Sequence, residues 1–231
     1  MALNHGVNPI VTDGLVLALD AANPKSYPDS GTTWTDLSGN GNNGTLVNGV
    51  GYTADNGGAL TFDGVNDYVD LTSTIQFDTS DFSISGWFRS NSGNTNYKQI
   101  WNSGYNGGTP DVEIAINQTT NRLSFYVRPP GSSVQTSYSV DDNVWRYFVG
   151  VKTSSLISLY VNGSFVSSTS ETFTSDVDVA GVIPRIGNGL SSINNRPFKG
   201  NIAQVIIYNK ALTAEEVQQN YNALKGRYGL T

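Results

Sequence analysis

The chain has 231 residues, no cysteine and one histidine, with 13 Lys and Arg against 19 Asp and Glu for a formal net charge of -6. Disulfides and thiolate metal sites are excluded, and so few scattered cations argue against nucleic acid or an anionic membrane as the main partner. A hydrophobic fraction of 38% supports a sizeable core, while 25 glycines and 11% aromatic residues point to many short strands joined by tight turns.

Residues 1–13, MALNHGVNPIVTD, read as a polar N-terminal arm without periodicity. They show neither the basic start nor the apolar run of a secretory leader. No segment reaches the length of a membrane span, so no membrane insertion is expected. Gly14–Asp20 predicts a first strand whose near-continuous apolar run, LVLALD, suits burial on both faces. Residues 21–58 are dominated by Gly, Asn, Ser, Pro and Asp, with one candidate strand at Thr45–Val47. Further strands are predicted at Ala59–Phe62, Asp67–Leu71, Phe82–Ser90, Tyr97–Asn102, Val112–Asn117, Arg122–Val127 and Val134–Ser139. Trp145–Lys152, Ile157–Val161, Phe165–Thr169, Val182–Gly187 and Gly200–Tyr208 complete the set. Alternation is plainest in Leu123, Phe125 and Val127 and in Ile157, Leu159 and Val161. The Asn162-Gly163 pair between two such runs is a strong hairpin signal. One helix, 213–225, closes the chain. Thr213 and Glu216 form a capping box, Val217, Tyr221 and Leu224 form an apolar stripe, and Gly226 stands where a C-terminal cap is expected.

Five segments carry a family resemblance. They are Leu60–Arg89 (LTFDGVNDYVDLTSTIQFDTSDFSISGWFR), Trp145–Val151 (WRYFVGV), Ile157–Gly163 (ISLYVNG), Arg185–Asn188 (RIGN) followed by Phe198–Ile202 (FKGNI), and Ile207–Val217 (IYNKALTAEEV). In this order the chain resembles the laminin-G-like branch of the concanavalin A-like lectin/glucanase superfamily. The resemblance implies an all-β fold over 14–231: a concanavalin A-like jelly-roll sandwich of two antiparallel sheets with one short C-terminal helix. The stretch GLVLALDAANPKSY…WTDLSGNGNNGTL is also similar to versions of this domain in virion structural proteins of tailed bacteriophages. That similarity implies a decoration or host-contact protein, assembled in the host cytoplasm and carried on the virion. Its partners would be glycans, other virion proteins or further copies of itself. A secreted, extracellular carbohydrate-binding module and a glycoside hydrolase of the same fold are the alternatives.

For hydrolysis, the resemblance to laminarinase-type relatives implies three acids along one strand, with a retaining pair about 5–5.5 Å apart. Asp111 and Glu113 share one strand face, but Ala115, Ile116 and Asn117 follow, so the third acid is missing and a non-enzyme is expected. The lone His5 sits in the arm, away from any triad. Calcium is the expected cofactor if there is one, because hard cations take several loop oxygens. Its candidate ligands are Asp36 in the DLSGNGN turn and Asp63 with Asp67 around Gly64. Glycan binding would use aromatic faces beside directional polar groups. Tyr97, Trp101, Tyr105, Asn106, Tyr126 and Arg128 are the candidates, whereas Trp87 and Trp145 read as core.

Overall fold

A computed structural model describes residues 9–77, 80–91, 97–104, 112–173, 182–190 and 195–231. The strands are β1 (Leu15–Asp20), β2 (Thr33–Trp34), β3 (Gly44–Val47), β4 (Gly51–Thr53), β5 (Ala59–Asp63), β6 (Tyr68–Leu71), β7 (Phe82–Ser90) and β8 (Lys98–Asn102). Then come β9 (Val112–Ile116), β10 (Leu123–Val127), β11 (Ser132–Gln135), β12 (Arg146–Lys152), β13 (Leu156–Val161), β14 (Ser164–Ser170), β15 (Arg185–Ile186) and β16 (Lys199–Tyr208). The helix α1 spans Ala214–Leu224.

These strands form two antiparallel sheets of eight. The first runs β14-β13-β12-β7-β16-β5-β4. Strand β1 shares an edge of β16 with β5, β5 taking Lys199–Ile202 and β1 taking Gln204–Tyr208. The second runs β11-β10-β9-β8-β15-β6-β3-β2. Alternate residues of both sheets meet in one apolar interior, as period-two side-chain placement requires. On the second sheet the inward row is Phe125, Ile114, Trp101, Ile186, Val69 and Leu46, directly opposite one another across six strands. Facing it are Ile84, Phe88, Phe148, Leu159 and Ile202 of the first sheet. The hairpin forms as predicted, with Asn162 and Gly163 both in the left-handed region at φ 51° and 78°.

The first sheet buries its outer face as well. Trp87 and Tyr147 point outward there and are covered by α1 and the turn after it. Trp87 stacks on Tyr228 at 4.1 Å and on Tyr221 at 5.8 Å. The capping box at Thr213 and Glu216 is present, its two reciprocal bonds measuring 3.0 and 3.2 Å. The helix does not stop at Gly226: a 3-10 turn, Lys225–Tyr228, carries Tyr228 under Trp87, and Gly229 takes the left-handed position at φ 70°.

The structure corrects the strand reading at several points. Strands β2 and β4 lie inside the region read as irregular, too short to alternate visibly. Strand β11 starts at Ser132, directly after Gly131, and ends at Gln135. Tyr138, placed within a strand by the sequence reading, is 44% exposed beyond it. Strand β15 keeps only Arg185 and Ile186 of the expected Val182–Gly187. Residues 9–13, the described part of the arm, form no strand or helix and lie against the sandwich. The Val11 N–H donates to Asn220 Oδ1 at 2.7 Å and the Tyr208 hydroxyl donates to the Val11 carbonyl at 3.0 Å, docking residues from Pro9 onward beside α1.

Candidate functional site

The outer face of the second sheet is built from polar residues. Opposite partners place Tyr126, Glu113, Asn102, Arg185, Asp70, Thr45 and Thr33 in one row across the strands. Neighbouring members stand about 4.8 Å apart along the hydrogen-bonding direction. The inward row lies one residue along each strand, so the apolar interior and this polar face arise from one alternation.

Two arginines organise the face, each matched to a carboxylate and laid over a tyrosine. Arg185 grips Asp70 through Nε at 2.8 Å and a longer second contact at 3.4 Å. Its guanidinium lies 3.7 Å from the centroid of Tyr68, and its third donor reaches the Gly189 carbonyl at 2.8 Å. Arg196 donates to Glu113 at 2.9 Å and sits 4.8 Å from the ring of Tyr97. Tyr97 in turn receives a hydrogen bond from the Asn117 amide at 2.7 Å. Such stacked, forked arginines hold their partners in fixed orientations.

The two carboxylates differ in access. Glu113 is 7% exposed and also accepts from the Gln99 amide, and its burial raises its pKa against the opposing pull of Arg196 and Gln99. Asp70 has 36% of its side chain open to solvent. Beside Glu113, Gln99 Oε1, Asn102 Nδ2 and Ser103 Oγ are buried without a hydrogen-bond partner among the described residues. This end of the face is enclosed, and the Asp70 end is open.

Of the six residues predicted for glycan contact, Tyr97, Tyr126 and Arg128 are half-buried, and Tyr97 and Tyr126 flank the Glu113 ion pair. Tyr105 and Asn106 lie outside the described residues, as does Asp111. Trp101 is a correction: it is fully buried in the inter-sheet core and offers no ring to a ligand. The cause is a register shift in β8 between Gln99 and Trp101, which inserts Ile100 and turns Trp101 inward. Strict alternation from Tyr97 would have left Trp101 outside. Tyr68, Asp70, Arg185 and Arg196 were not singled out from the sequence. Alternation on the predicted strand Asp67–Leu71 already sets Tyr68 and Asp70 on one face, but their pairing with Arg185 depends on topology.

The acids proposed for calcium serve their own backbone. Asp36 is buried and accepts four hydrogen bonds: from the Ala18 and Ser38 N–H groups at 2.9 Å each, the Ser38 hydroxyl at 2.7 Å and the Asn42 N–H at 3.0 Å. Asp63 accepts from the Val65 N–H at 2.7 Å, and Asp67 accepts from the Asp63 N–H at 2.9 Å. Burial, followed by the nearby Asp63 charge, raises the pKa of Asp67 against the lowering effect of that backbone bond. The bonds from Ser38 to Asp36 and from Val65 to Asp63 are Asx-type turns, and the bond from Ala18 ties the Asp36 loop to β1. Among the described residues, no three His, Asp or Glu side chains are grouped to hold a metal.

Residues 63–218 match a laminin-G family model described as the concanavalin A-like lectin/glucanases superfamily. The chain belongs to this family. No curated protein matches the sequence. Among solved structures, this laminin-G domain is similar to the binding domain of Paraclostridial Mosquitocidal Protein 1, with a TM-score of 0.75 and 20% identity over 95% of this chain and 56% of that one. It is also similar to the receptor binding domain of botulinum neurotoxin D, with a TM-score of 0.71 and 16% identity over 91% of this chain and 52% of that one. A third is a botulinum neurotoxin type C chain that depends on interaction with two ganglioside molecules to enter cells. There the TM-score is 0.68 and the identity 16%, over 93% of this chain and 52% of that one. The chain thus spans about half the length of these structures, and at such identities the likeness concerns the fold.

Proposed function

We propose that this laminin-G-like sandwich is a non-enzymatic, carbohydrate-binding domain displayed on the surface of a tailed-phage virion, as a decoration or host-contact protein. One observation carries the binding reading. The second sheet turns outward a polar face of ordered arginines, tyrosines and carboxylates, while the first sheet covers its outer aromatics with α1. Sugars are held by such combinations of flat rings and directional hydrogen bonds. The similar folds that serve as toxin binding domains favour recognition over catalysis as the use of the sandwich. A non-catalytic reading is further supported by Glu113, whose carboxylate is buried and already engaged by Arg196 and Gln99. A general acid or nucleophile must instead meet its substrate. Support for the virion comes from the resemblance of the GLVLALDAANPKSY stretch.

Two measurements test this. Retention on immobilised polysaccharides, without release of reducing ends, is expected for the purified chain. Release of reducing ends that disappears in Glu113→Gln would replace the lectin reading with hydrolysis. Peptides of this chain are expected in mass spectra of purified phage particles, and their presence only among secreted proteins would move it to an extracellular role.

A further inference from the structure

We infer that the open end of the polar face, centred on Asp70, is a metal-independent subsite for a neutral sugar unit bearing vicinal hydroxyls. The inference rests on the carbohydrate-binding reading above and names the ligand class of that surface. Asp70 is the one member of the two acid–arginine–tyrosine groups whose carboxylate is substantially open, at 36% against 7% for Glu113. Arg185 takes one oxygen of Asp70 at 2.8 Å and only brushes the other at 3.4 Å. A carboxylate has about four acceptor sites, so acceptor capacity remains on the solvent side. The side chain is also held in place: the guanidinium is fixed from behind by Tyr68 and from the side by the Gly189 carbonyl. A fixed acceptor loses little freedom when two adjacent hydroxyls donate to it.

The charge balance chooses the ligand. Each of the two arginines is already matched to a carboxylate, so these four groups present no surplus cation for a sulfate or carboxylate sugar. Thr45, opposite Asp70 on β3, is exposed and adds a hydroxyl beside the carboxylate. No metal is required, because the hydroxyls are bound by an anionic acceptor directly.

The test uses the full chain with mannan and dextran as neutral probes and dextran sulfate as the anionic one, with and without EDTA. Wild type is expected to bind mannan or dextran, equally well in EDTA, and to show no preference for dextran sulfate. Asp70→Asn, which keeps the shape and removes the charge, is expected to weaken neutral binding at least about tenfold. Thr45→Trp, an exposed change that covers the carboxylate, should do the same. Both variants should melt within a few degrees of wild type. Neutral binding that survives in both variants refutes the subsite while leaving a carbohydrate-binding surface standing. Preference for dextran sulfate, or loss of binding in EDTA, refutes it as well. Failure of wild type to bind any of the polysaccharides removes the carbohydrate reading and the subsite with it.

Discussion

Lys98 and Asp141 form a buried ion pair, 1% and 3% exposed, that ties β8 of the second sheet to the turn leading into β12 of the first. The Ser90 hydroxyl at the end of β7 donates to the other oxygen of Asp141. Lys98→Met fills similar space but leaves the carboxylate, among the described residues, with the Ser90 hydroxyl as its partner. Stranding one member of a buried pair costs about 3–5 kcal/mol. A domain of this size loses about 2–4 °C per kcal/mol, so the melting temperature should fall by roughly 6–20 °C. The double variant Lys98→Met/Asp141→Leu removes both charges and should recover most of that loss, because apolar replacement of a whole buried pair is often neutral or better. Urea and thermal melts of wild type, both single variants and the double variant give the full cycle. If the double variant falls as far as Lys98→Met, the pair holds the sheets together by its own attraction. The reasoning that the cost lies in an uncompensated charge would then be wrong.

Further perturbations follow from the packing and the charges. Gly150→Ala would set a methyl 2.7 Å from the Phe125 ring between the sheets, so a loss of about 1–3 kcal/mol is expected from the urea midpoint, and an unchanged midpoint would contradict that contact. Tyr221→Ala removes the ring stacked on Trp87 and should cost about 3 kcal/mol and redden tryptophan emission, while polysaccharide retention on the opposite sheet persists. Burial raises the pKa of Glu113 above its ordinary 4.5 in the folded chain, against the opposing pull of Arg196 and Gln99. Its contribution is then fullest below about pH 4.5 and is lost as pH rises through the raised folded value. Wild type should therefore gain stability relative to Glu113→Gln as pH is lowered from neutral, and a difference flat with pH would refute this.

The fold was legible because its signals are local. Alternation in β10 and β13, the Asn162-Gly163 turn and the capping box at Thr213 each act within a few residues, and each formed as expected. What was hidden depends on contacts distant in sequence. The β8 register shift that buries Trp101 leaves no mark in a run of YKQIW. Arg185 meets Asp70 across 115 positions, and Arg196 meets Glu113 across 83, so neither group can be read without the strand order. Asp36 shows the converse: its turn composition was visible, but only the bonds it accepts from Ala18, Ser38 and Asn42 reveal that the carboxylate is spent on the loop.

The binding surface can be located most directly by hydrogen–deuterium exchange of the chain with and without saturating mannan. Slower exchange is expected in Gly44–Val47, Tyr68–Leu71 and Arg185–Ile186, with α1 unaffected. Protection confined to α1 and β14, with those three strands unchanged, would place the ligand on the other side of the sandwich and contradict the account.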